Sequence, residues 1–288
     1  MEKLESLRDE AIEKAELSSI DKDFAFDVTE EVVSRHETVY SDWEQKGLDN
    51  RSSERKQLVK AIRRRLREVY GVFFTSPLSG EERDTILEEP SDERLRSVME
   101  RHLSTRERLP HYPYLLDHFS EWFESYDSVL DIGCGYNPLS IPVFNHGKSV
   151  SMIDISNEEL SFVSNILTER GIANTFETID VSNPKEFSKS MEKGEILFKK
   201  GSIDVALCFK LLDSLETKNR GASQRILEIL SQVTEKGLVV SFAKRTVSGR
   251  HTIDADRDWF YDILDNLRDH DRKDVETINE TLHLIRWT

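Results

Sequence analysis

The chain has 288 residues, enough for one large domain or two ordinary ones, and its composition is that of a folded globular protein. Hydrophobic residues make up 37% and charged residues 33% of it, which excludes wholesale disorder. No apolar run reaches the roughly 18 residues of a membrane span, and the charged start lacks a signal-peptide pattern, so we expect a cytoplasmic protein with no membrane partner. Cys134 and Cys208 lie far apart outside any metal-ligand spacing, so we expect neither a disulfide nor a metal site.

The net charge of −15 disfavours a nucleic-acid partner only when it is taken as one number. Residues 1–50 carry 15 acids against 6 bases, a net of −9, whereas residues 51–68 carry 8 bases against 2 acids, a net of +6. The acidic chain therefore has a local basic segment of the kind that binds RNA.

The first 110 residues are predicted to form a helical domain. Leu58, Ile62 and Leu66 recur at intervals of four, which is a helical stripe and not a strand alternation. The opposite face of the same helix carries a set of basic side chains, namely Lys56, Lys60, Arg63, Arg64 and Arg67. A charged run is usually only a solvated face, but this clustering indicates RNA docking. Pro110 and Pro113 then mark the boundary with a second domain, residues 111–288.

In the second domain, strand-like runs alternate with helical ones from Asp127 onward. Crossover helices of this length imply a mostly parallel sheet, and two final strands without a helix between them imply an antiparallel finish. The predicted fold class is therefore α/β, with a seven-stranded sheet whose C-terminal strand is antiparallel. The predicted strands are SVLDI, SVSMID, NTFETID, SIDVALCF, GLVVSFA, DVETINE and TLHLIRWT.

The stretch VLDIGCGYNPLSIP places Gly133 and Gly135 directly after the first predicted strand. Glycine lets the backbone turn sharply and approach a ligand closely. A dinucleotide loop would have a third glycine at position 138, where this chain has Pro138, so a nicotinamide cofactor becomes less favoured without being excluded. Asn137 before that proline is predicted to cap a helix that begins at once.

Three acids are predicted to end successive strands. Asp131 precedes the glycines, Asp154 ends the second strand 21 residues after Gly133, and Asp180 ends the third. An acid at about this distance meets ribose hydroxyls in this class of site, and a third could accept from an adenine amino group. The acids could alternatively be ordinary helix caps, but together with the glycines they indicate an adenosine pocket.

These residues resemble the Rossmann-like methyltransferases that use S-adenosylmethionine. More narrowly, HLSTRERLPHYPYLL (102–116), the glycine loop, DVALCFKLLDSLE (204–216) and VVSFAKRTVSGR (239–250) resemble, in order and spacing, the aminoglycoside-resistance 16S ribosomal RNA methyltransferases. The resemblance implies methylation of guanine N7 in the decoding site of the 30S subunit, with a helical N-terminal domain docking on the RNA. We expect the enzyme to act as a monomer.

The resemblance and the strand-end pattern together give a set of expected site residues. Arg106 or Arg108, with Arg106 favoured by its match to the family, would hold the cofactor's carboxylate, since a guanidinium can clamp it bidentately. Phe209 and Lys210 follow the fourth strand, where the acceptor is presented; Phe209 could stack on a flipped base or belong to the core. Arg245 and Arg250 match the family's basic loop, with Lys244 as an extra charge, and these residues would contact RNA phosphates. The expected cofactor contacts are Arg106, Arg108, Asp131, Gly133, Gly135, Asn137, Asp154, Ile155, Asp180, Val181 and Phe209.

Two other functions remain open on these residues. The overall acidity suits a methyltransferase of a small molecule or a protein with the same cofactor site. A non-catalytic ribosome-binding relative could keep the fold, although the intact glycines and acids disfavour it.

Overall fold

The computed structural model describes residues 1–14, 17, 20, 22–67, 78–183, 187, 202–245, 252–253 and 256–288. They form two compact units, one of residues 1–77 with 156–158 and one of residues 78–155 with 159–288. Residues 78–110, which the sequence analysis places with the helical domain, thus lie in the second unit. The role of residues 1–110 in RNA docking stays a prediction.

The first unit is built from amphipathic helices whose apolar faces pack together. Leu7 of α1, Val32 of α2, Trp43 of α3 and Leu58 of α4 are all buried. The Ser52 hydroxyl accepts the backbone N–H of Arg55 at 3.2 Å, which satisfies an otherwise unpaired donor at the start of α4. The helices are α1 (Glu2–Ile12), α2 (Lys22–Arg35), α3 (Glu37–Gln45) and α4 (Ser53–Leu66).

In the second unit, helices surround a single sheet. Helix α5 begins with a capping box in which Ser79 and Glu82 each accept the other's backbone N–H. The helices are α5 (Gly80–Glu88), α6 (Asp92–Glu100), α7 (Leu103–Arg108), α8 (Tyr112–Phe123), α9 (Ser140–Phe144), α10 (Asn157–Glu169), α11 (Leu212–Lys218), α12 (Ala222–Val233) and α13 (Asp258–Asp265).

The sheet has seven strands in the order β3-β2-β1-β4-β5-β7-β6. Strands β1 to β5 pair in parallel, and β7 lies antiparallel between β5 and β6. This confirms the predicted fold class. The strands are β1 (Ser128–Ile132), β2 (Ser149–Asp154), β3 (Ala173–Thr178), β4 (Ile203–Phe209), β5 (Thr234–Ala243), β6 (His270–Glu276) and β7 (Glu280–Trp287).

Five strands have bounds that differ from the prediction: β4 and β7 by one residue, β5 by three residues at its start, and β3 and β6 as follows. Strand β3 ends at Thr178, so Asp180 lies two residues beyond the strand. Strand β6 begins at His270, four residues before the predicted start at Asp274. Its extra residues are polar and mostly exposed because β6 is an edge strand, so an apolar pattern does not reveal them.

The strand order reverses between β1 and β4, since β1 is followed along the chain by β2 on one side and β4 lies on the other. Ligands of open α/β sheets bind outside the carboxyl ends of the strands at such a reversal. The core beneath this edge is apolar and includes Cys208; Cys134 is also buried, and both cysteines are reduced. Among the described helices, none combines the length and apolarity needed to cross a membrane.

Gly237 gives a test of the β5–β7 pairing. A Cβ atom there would lie 1.9 Å from the carbonyl oxygen of Ile285 and 2.8 Å from Phe123 Cε1. We expect Gly237→Ala to lower the free energy of unfolding by about 3 kcal/mol, because a paired backbone must move. Gly80→Ala, in open space at the start of α5, should leave it almost unchanged in the same urea titration. Equal stability of the two variants would contradict the close approach of β5 and β7.

Candidate functional site

The glycine loop after β1 has the conformation that its sequence predicts. Gly133 and Gly135 have φ values of +63° and +48°, and added Cβ atoms would lie 3.2 Å from Leu211 Cδ1 and 2.8 Å from His102 Nε2. The loop is fixed to β2, because the backbone N–H of Gly135 donates to Asp154 Oδ2 at 2.9 Å. A side chain at either position would therefore be strained and crowded, and bare backbone is presented at the carboxyl edge of the sheet.

Asp131 and Asn137 form a buried pair behind this loop. Asn137 Nδ2 donates to Asp131 Oδ2 at 2.7 Å. Burial raises the pKa of Asp131 to about 7, against the opposing effects of this hydrogen bond and of the Arg108 charge. The predicted helix cap at Asn137 is wrong, because Asn137 is the first residue of a 3₁₀ turn and its side chain makes no cap. The side chain is held inward because its oxygen accepts from Tyr112 and Arg108.

The other two acids lie at the same edge in different settings. Asp154 is half-buried, and its Oδ1 accepts the backbone N–H of Ile155 at 2.7 Å. Asp180 Oδ1 accepts both the backbone N–H and the hydroxyl of Ser182, at 2.9 and 2.6 Å, so it closes its own turn. Ile155 is half-buried and Val181 is buried. The cofactor contacts of these four residues stay predictions.

Arg108 occupies the middle of the site. It is 1% exposed, and its Nε and Nη2 donate to Glu280 Oε1 and Oε2 at 2.9 and 3.1 Å. Further bonds run from Nη2 to Ser104 Oγ at 3.3 Å and from Nη1 to Asn137 Oδ1 at 2.9 Å. Four of about five N–H donors of the guanidinium are thus used. While Arg108 stays bound to Glu280, it could offer a cofactor carboxylate one hydrogen bond, which does not make a bidentate clamp.

Arg106 has a different environment from Arg108. It is exposed on α7, and its side chain makes no hydrogen bond or ion pair with any described residue. The neighbouring Glu107 instead pairs with Lys210, with 2.6 Å between Oε2 and Nζ. The predicted preference for Arg106 over Arg108 in cofactor binding is untested.

The segment that ends β4 is tightly constrained. Phe209 is 8% exposed, and the Arg108 guanidinium carbon lies 3.8 Å from its ring centroid, so one face of the ring is covered. Lys210 has a φ of +54°, which is rare for a residue with a side chain. Its backbone N–H donates to the Ser241 carbonyl oxygen at 2.9 Å. Base stacking by Phe209 would have to use a ring surface that Arg108 does not cover.

The basic residues differ in their exposure to solvent. Arg245 is exposed, whereas Lys244 is half-buried and pairs with Glu276 at 3.0 Å. Arg250 lies outside the described residues. In the first unit, Lys56, Lys60, Arg64 and Arg67 are exposed.

Arg63 does not belong with the exposed members of this stripe. It is half-buried and donates to the carbonyl oxygens of Glu10 and Ala11 at 2.6 and 3.3 Å. These are orphan acceptors at the end of α1. Helical spacing places Arg63 on the basic face, but its side chain bonds to the end of the neighbouring helix α1.

Sequence reasoning missed several residues of the site. Glu280 is one of them, because nothing in a closing strand indicates that its first residue meets α7. Glu107 appears in the sequence only as a neighbour of two arginines. His102 lies in a quoted motif, but only the structure places its ring against Gly135. Burial lowers the pKa of His102 to about 3, helped by the charges of Arg108 and Lys210, so the ring is neutral at physiological pH.

Asp131 gives a test of this buried arrangement. Its folded pKa of about 7 exceeds the unfolded value of roughly 3.9, so wild type loses stability as pH rises between the two. We expect the stability of Asp131→Asn relative to wild type to rise by on the order of 1 kcal/mol per pH unit from pH 5 to 7. Urea titrations at several pH values measure this difference. A difference that is flat with pH, or that falls, would show that Asp131 is ionised in the folded chain.

The chain is similar to enzymes that modify ribosomal RNA. It is 32% identical over 196 residues to the 16S rRNA (guanine(1405)-N(7))-methyltransferase of Serratia marcescens, a match that covers 68% of this chain and 69% of that one. It is 27% identical over 203 residues to the enzyme of the same name from Micromonospora echinospora, covering 67% and 68% of the two chains.

Solved structures and a family model agree with these relatives. The 16S rRNA methyltransferase RmtF in complex with S-adenosyl-L-homocysteine has a TM-score of 0.70 at 23% identity and covers 100% of this chain and 99% of its own. An rRNA methylase from Escherichia coli has a TM-score of 0.66 at 22% identity, covering 99% and 100%. At these identities the likeness shows the fold. The model of the ribosomal RNA methyltransferase (FmrO) family matches residues 32–260, and the chain belongs to this family.

Proposed function

We propose that this enzyme transfers the methyl group of S-adenosylmethionine to N7 of a guanine in the decoding site of 16S rRNA, within the 30S subunit, and thereby confers resistance to aminoglycosides. The observation that carries the proposal is the carboxyl edge of the sheet, where Gly133, Gly135 and Asp154 lie beside the end of β4. We call Phe209 and Lys210, at that end, the acceptor segment. Relatives named for guanine N7 methylation support the choice of acceptor atom.

The residues at this edge fit the proposed methyl donor. Gly133 and Gly135 have positive φ values and carry no side chain at this edge, so the cofactor would contact the loop backbone itself. Asp154, whose two oxygens accept the backbone N–H groups of Gly135 and Ile155, would also accept a ribose hydroxyl. When bound, S-adenosylmethionine supplies a methyl group on a positively charged sulfur.

The reaction requires mainly that the protein align the methyl donor with the acceptor atom. Guanine N7 attacks with a lone pair that carries no proton, so no general base has to remove one, and the rate depends on holding donor and acceptor in line. Asp180 and Asp131 would complete the donor side, the latter behind the loop. His102, which lies against Gly135, is neutral and adds no positive charge at the glycine loop that would hold the cofactor.

On the acceptor side, Phe209 and Lys210 would place the target base. Phe209 is held by the guanidinium on one face, and the Lys210 ammonium is fixed by Glu107. The Lys210 N–H groups that do not bond Glu107 could donate to guanine O6, which is next to N7 on the same edge of the base.

The proposed RNA contacts lie in both units. Exposed Lys56, Lys60, Arg64 and Arg67 would bind phosphates with the helical unit, and Arg245 and Arg250 would bind near the target base. Lys244 would have to exchange Glu276 for a phosphate. These contacts position the RNA, whereas base selection belongs to the acceptor segment.

The proposal itself is tested with purified 30S subunits and labelled S-adenosylmethionine. We expect the label in 16S rRNA, at one guanine mapped by reverse transcription after N7-specific cleavage. We also expect a susceptible bacterium that expresses the gene to survive aminoglycosides. Labelling of small molecules or proteins with no label in 30S subunits would contradict the proposal.

Asp154 tests the donor side. We expect Asp154→Ala to weaken S-adenosylmethionine binding at least tenfold in calorimetry, because the ribose loses its acceptor and the glycine loop loses its anchor. Arg245→Ala should keep the affinity for S-adenosylmethionine and reduce 30S methylation. Equal loss of cofactor affinity in both variants would contradict this division of the site.

Lys56 and Lys60 test RNA docking by the helical unit. We expect the double change Lys56→Glu/Lys60→Glu to weaken 30S binding tenfold or more and to leave S-adenosylmethionine affinity unchanged. The log–log salt slope of 30S binding should become shallower by about 0.7 to 0.9 for each phosphate that the variant no longer binds.

Lys148→Glu is the control for this charge change. Lys148 is exposed at the start of β2, at the sheet edge away from the glycine loop, and pairs with Asp127. We expect it to bind 30S subunits nearly as wild type does. If the control weakens binding as much per charge as the docking variant, the effect reflects net charge and not a docking face.

A further inference from the structure

A continuous chain of buried hydrogen bonds joins the acceptor segment to the glycine loop. At one end, the backbone N–H of Lys210 donates to Ser241 Oγ at 3.2 Å as well as to the Ser241 carbonyl oxygen. The Ser241 hydroxyl then donates to Glu280 Oε2 at 2.8 Å. Glu280 is thus linked through Ser241 to the segment that would present the target base.

From Glu280 the chain of bonds continues toward the donor side. Glu280 accepts hydrogen bonds from Nε and Nη2 of Arg108. Arg108 Nη1 donates to the side-chain oxygen of Asn137, and Asn137 Nδ2 donates in turn to Asp131. Ser241, Glu280, Arg108, Asn137 and Asp131 are each at most 4% exposed. These hydrogen bonds are therefore shielded from water, which could otherwise compete for the same donors and acceptors.

The charges in this chain agree with its geometry. Burial alone would raise the pKa of Glu280, but the charges of Arg108 and Lys210 outweigh it and hold the pKa below its usual range. A buried carboxylate that stays ionised beside a buried guanidinium fixes both groups, since moving either one leaves a charge without a partner.

Lys210 is where this fixation matters for the reaction. Its left-handed φ of +54° is strained for a residue with a side chain, so the surrounding contacts must hold it. The two Ser241 oxygens that accept its N–H are such contacts, and Glu280 orients the hydroxyl that supplies one of them. Loss of this hydroxyl bond would leave the Lys210 N–H held by the Ser241 carbonyl oxygen alone, and its position less closely defined.

We propose that Glu280 is a positioning residue that acts through Ser241 on the acceptor segment and through Arg108 on the glycine loop, and so sets the alignment of methyl donor and guanine. The inference rests on the proposed function, because it assigns to β7 the alignment which that reaction requires. Misplacement of reacting groups by about 1 Å can cost about a hundredfold in rate.

Ser241 is the position that tests it. Removing Glu280 itself would leave the Arg108 charge buried and unpaired, which is strongly destabilising and can unfold the protein. Ser241→Ala breaks only the link between Glu280 and Lys210 and leaves the Arg108 bonds intact. Ser223→Ala is the matched control, because Ser223 is equally buried and its hydroxyl donates one bond, to the Leu212 carbonyl oxygen at 3.1 Å.

The experiment measures the melting temperature, the dissociation constant for S-adenosylmethionine, and the single-turnover rate of 30S methylation for both variants. We expect similar small losses of melting temperature and cofactor affinities within twofold of wild type. The rate should fall about tenfold or more in Ser241→Ala only, and Ser241→Thr, which keeps the hydroxyl, should recover most of it.

Contrary outcomes separate the two proposals. Equal rates in Ser241→Ala and Ser223→Ala, or a loss of cofactor affinity without a loss of rate in Ser241→Ala, would overturn the positioning role and leave the proposed function standing. An absence of 30S methylation by wild type would overturn the proposed function and this inference with it.

Discussion

The ion pair between Arg108 and Glu280 is the contact around which the site is organised. A guanidinium and a carboxylate that are both 1% exposed would each be costly to bury alone, and their bidentate bond allows both to stay charged. Arg108 comes from a short helix before the sheet and Glu280 from its last strand. The pair therefore joins an early helix and a late strand of the second unit at the carboxyl edge of the sheet, where the strand order reverses.

Around this pair the polar groups are arranged so that few charges remain unbalanced. Arg108 is neutralised by Glu280 and Lys210 by Glu107, and the pKa values of Asp131 and His102 favour less charged forms than these residues have in water. Such a site suits a reaction that moves a positive charge from sulfur to a purine. The protein contributes fixed dipoles and packing, and it needs no proton transfer.

The fold and the conformation of the glycine loop were largely predictable from the sequence because they depend on local rules. Apolar runs separated by helical segments predict a parallel sheet, and Gly133 and Gly135 predict a tight turn whatever lies around them. Local rules were less successful in predicting the hydrogen-bond partners of polar side chains. Asn137 follows the pattern of a helix cap but turns inward toward Asp131, and Arg63 follows a basic stripe but bonds the end of α1.

The sequence by itself determined the class of fold, the loop that would contact the cofactor, the carboxylates near it and a basic helix face, because each depends on residues close together in the chain. Only the tertiary structure decided that Arg108 is bound to Glu280, 172 residues away, that His102 lies against Gly135, and that Ser241 supports Lys210. The physical reason is that burial decides how a charged or polar side chain is used. Burial depends on which strands and helices become neighbours, and no pattern within a single segment records that.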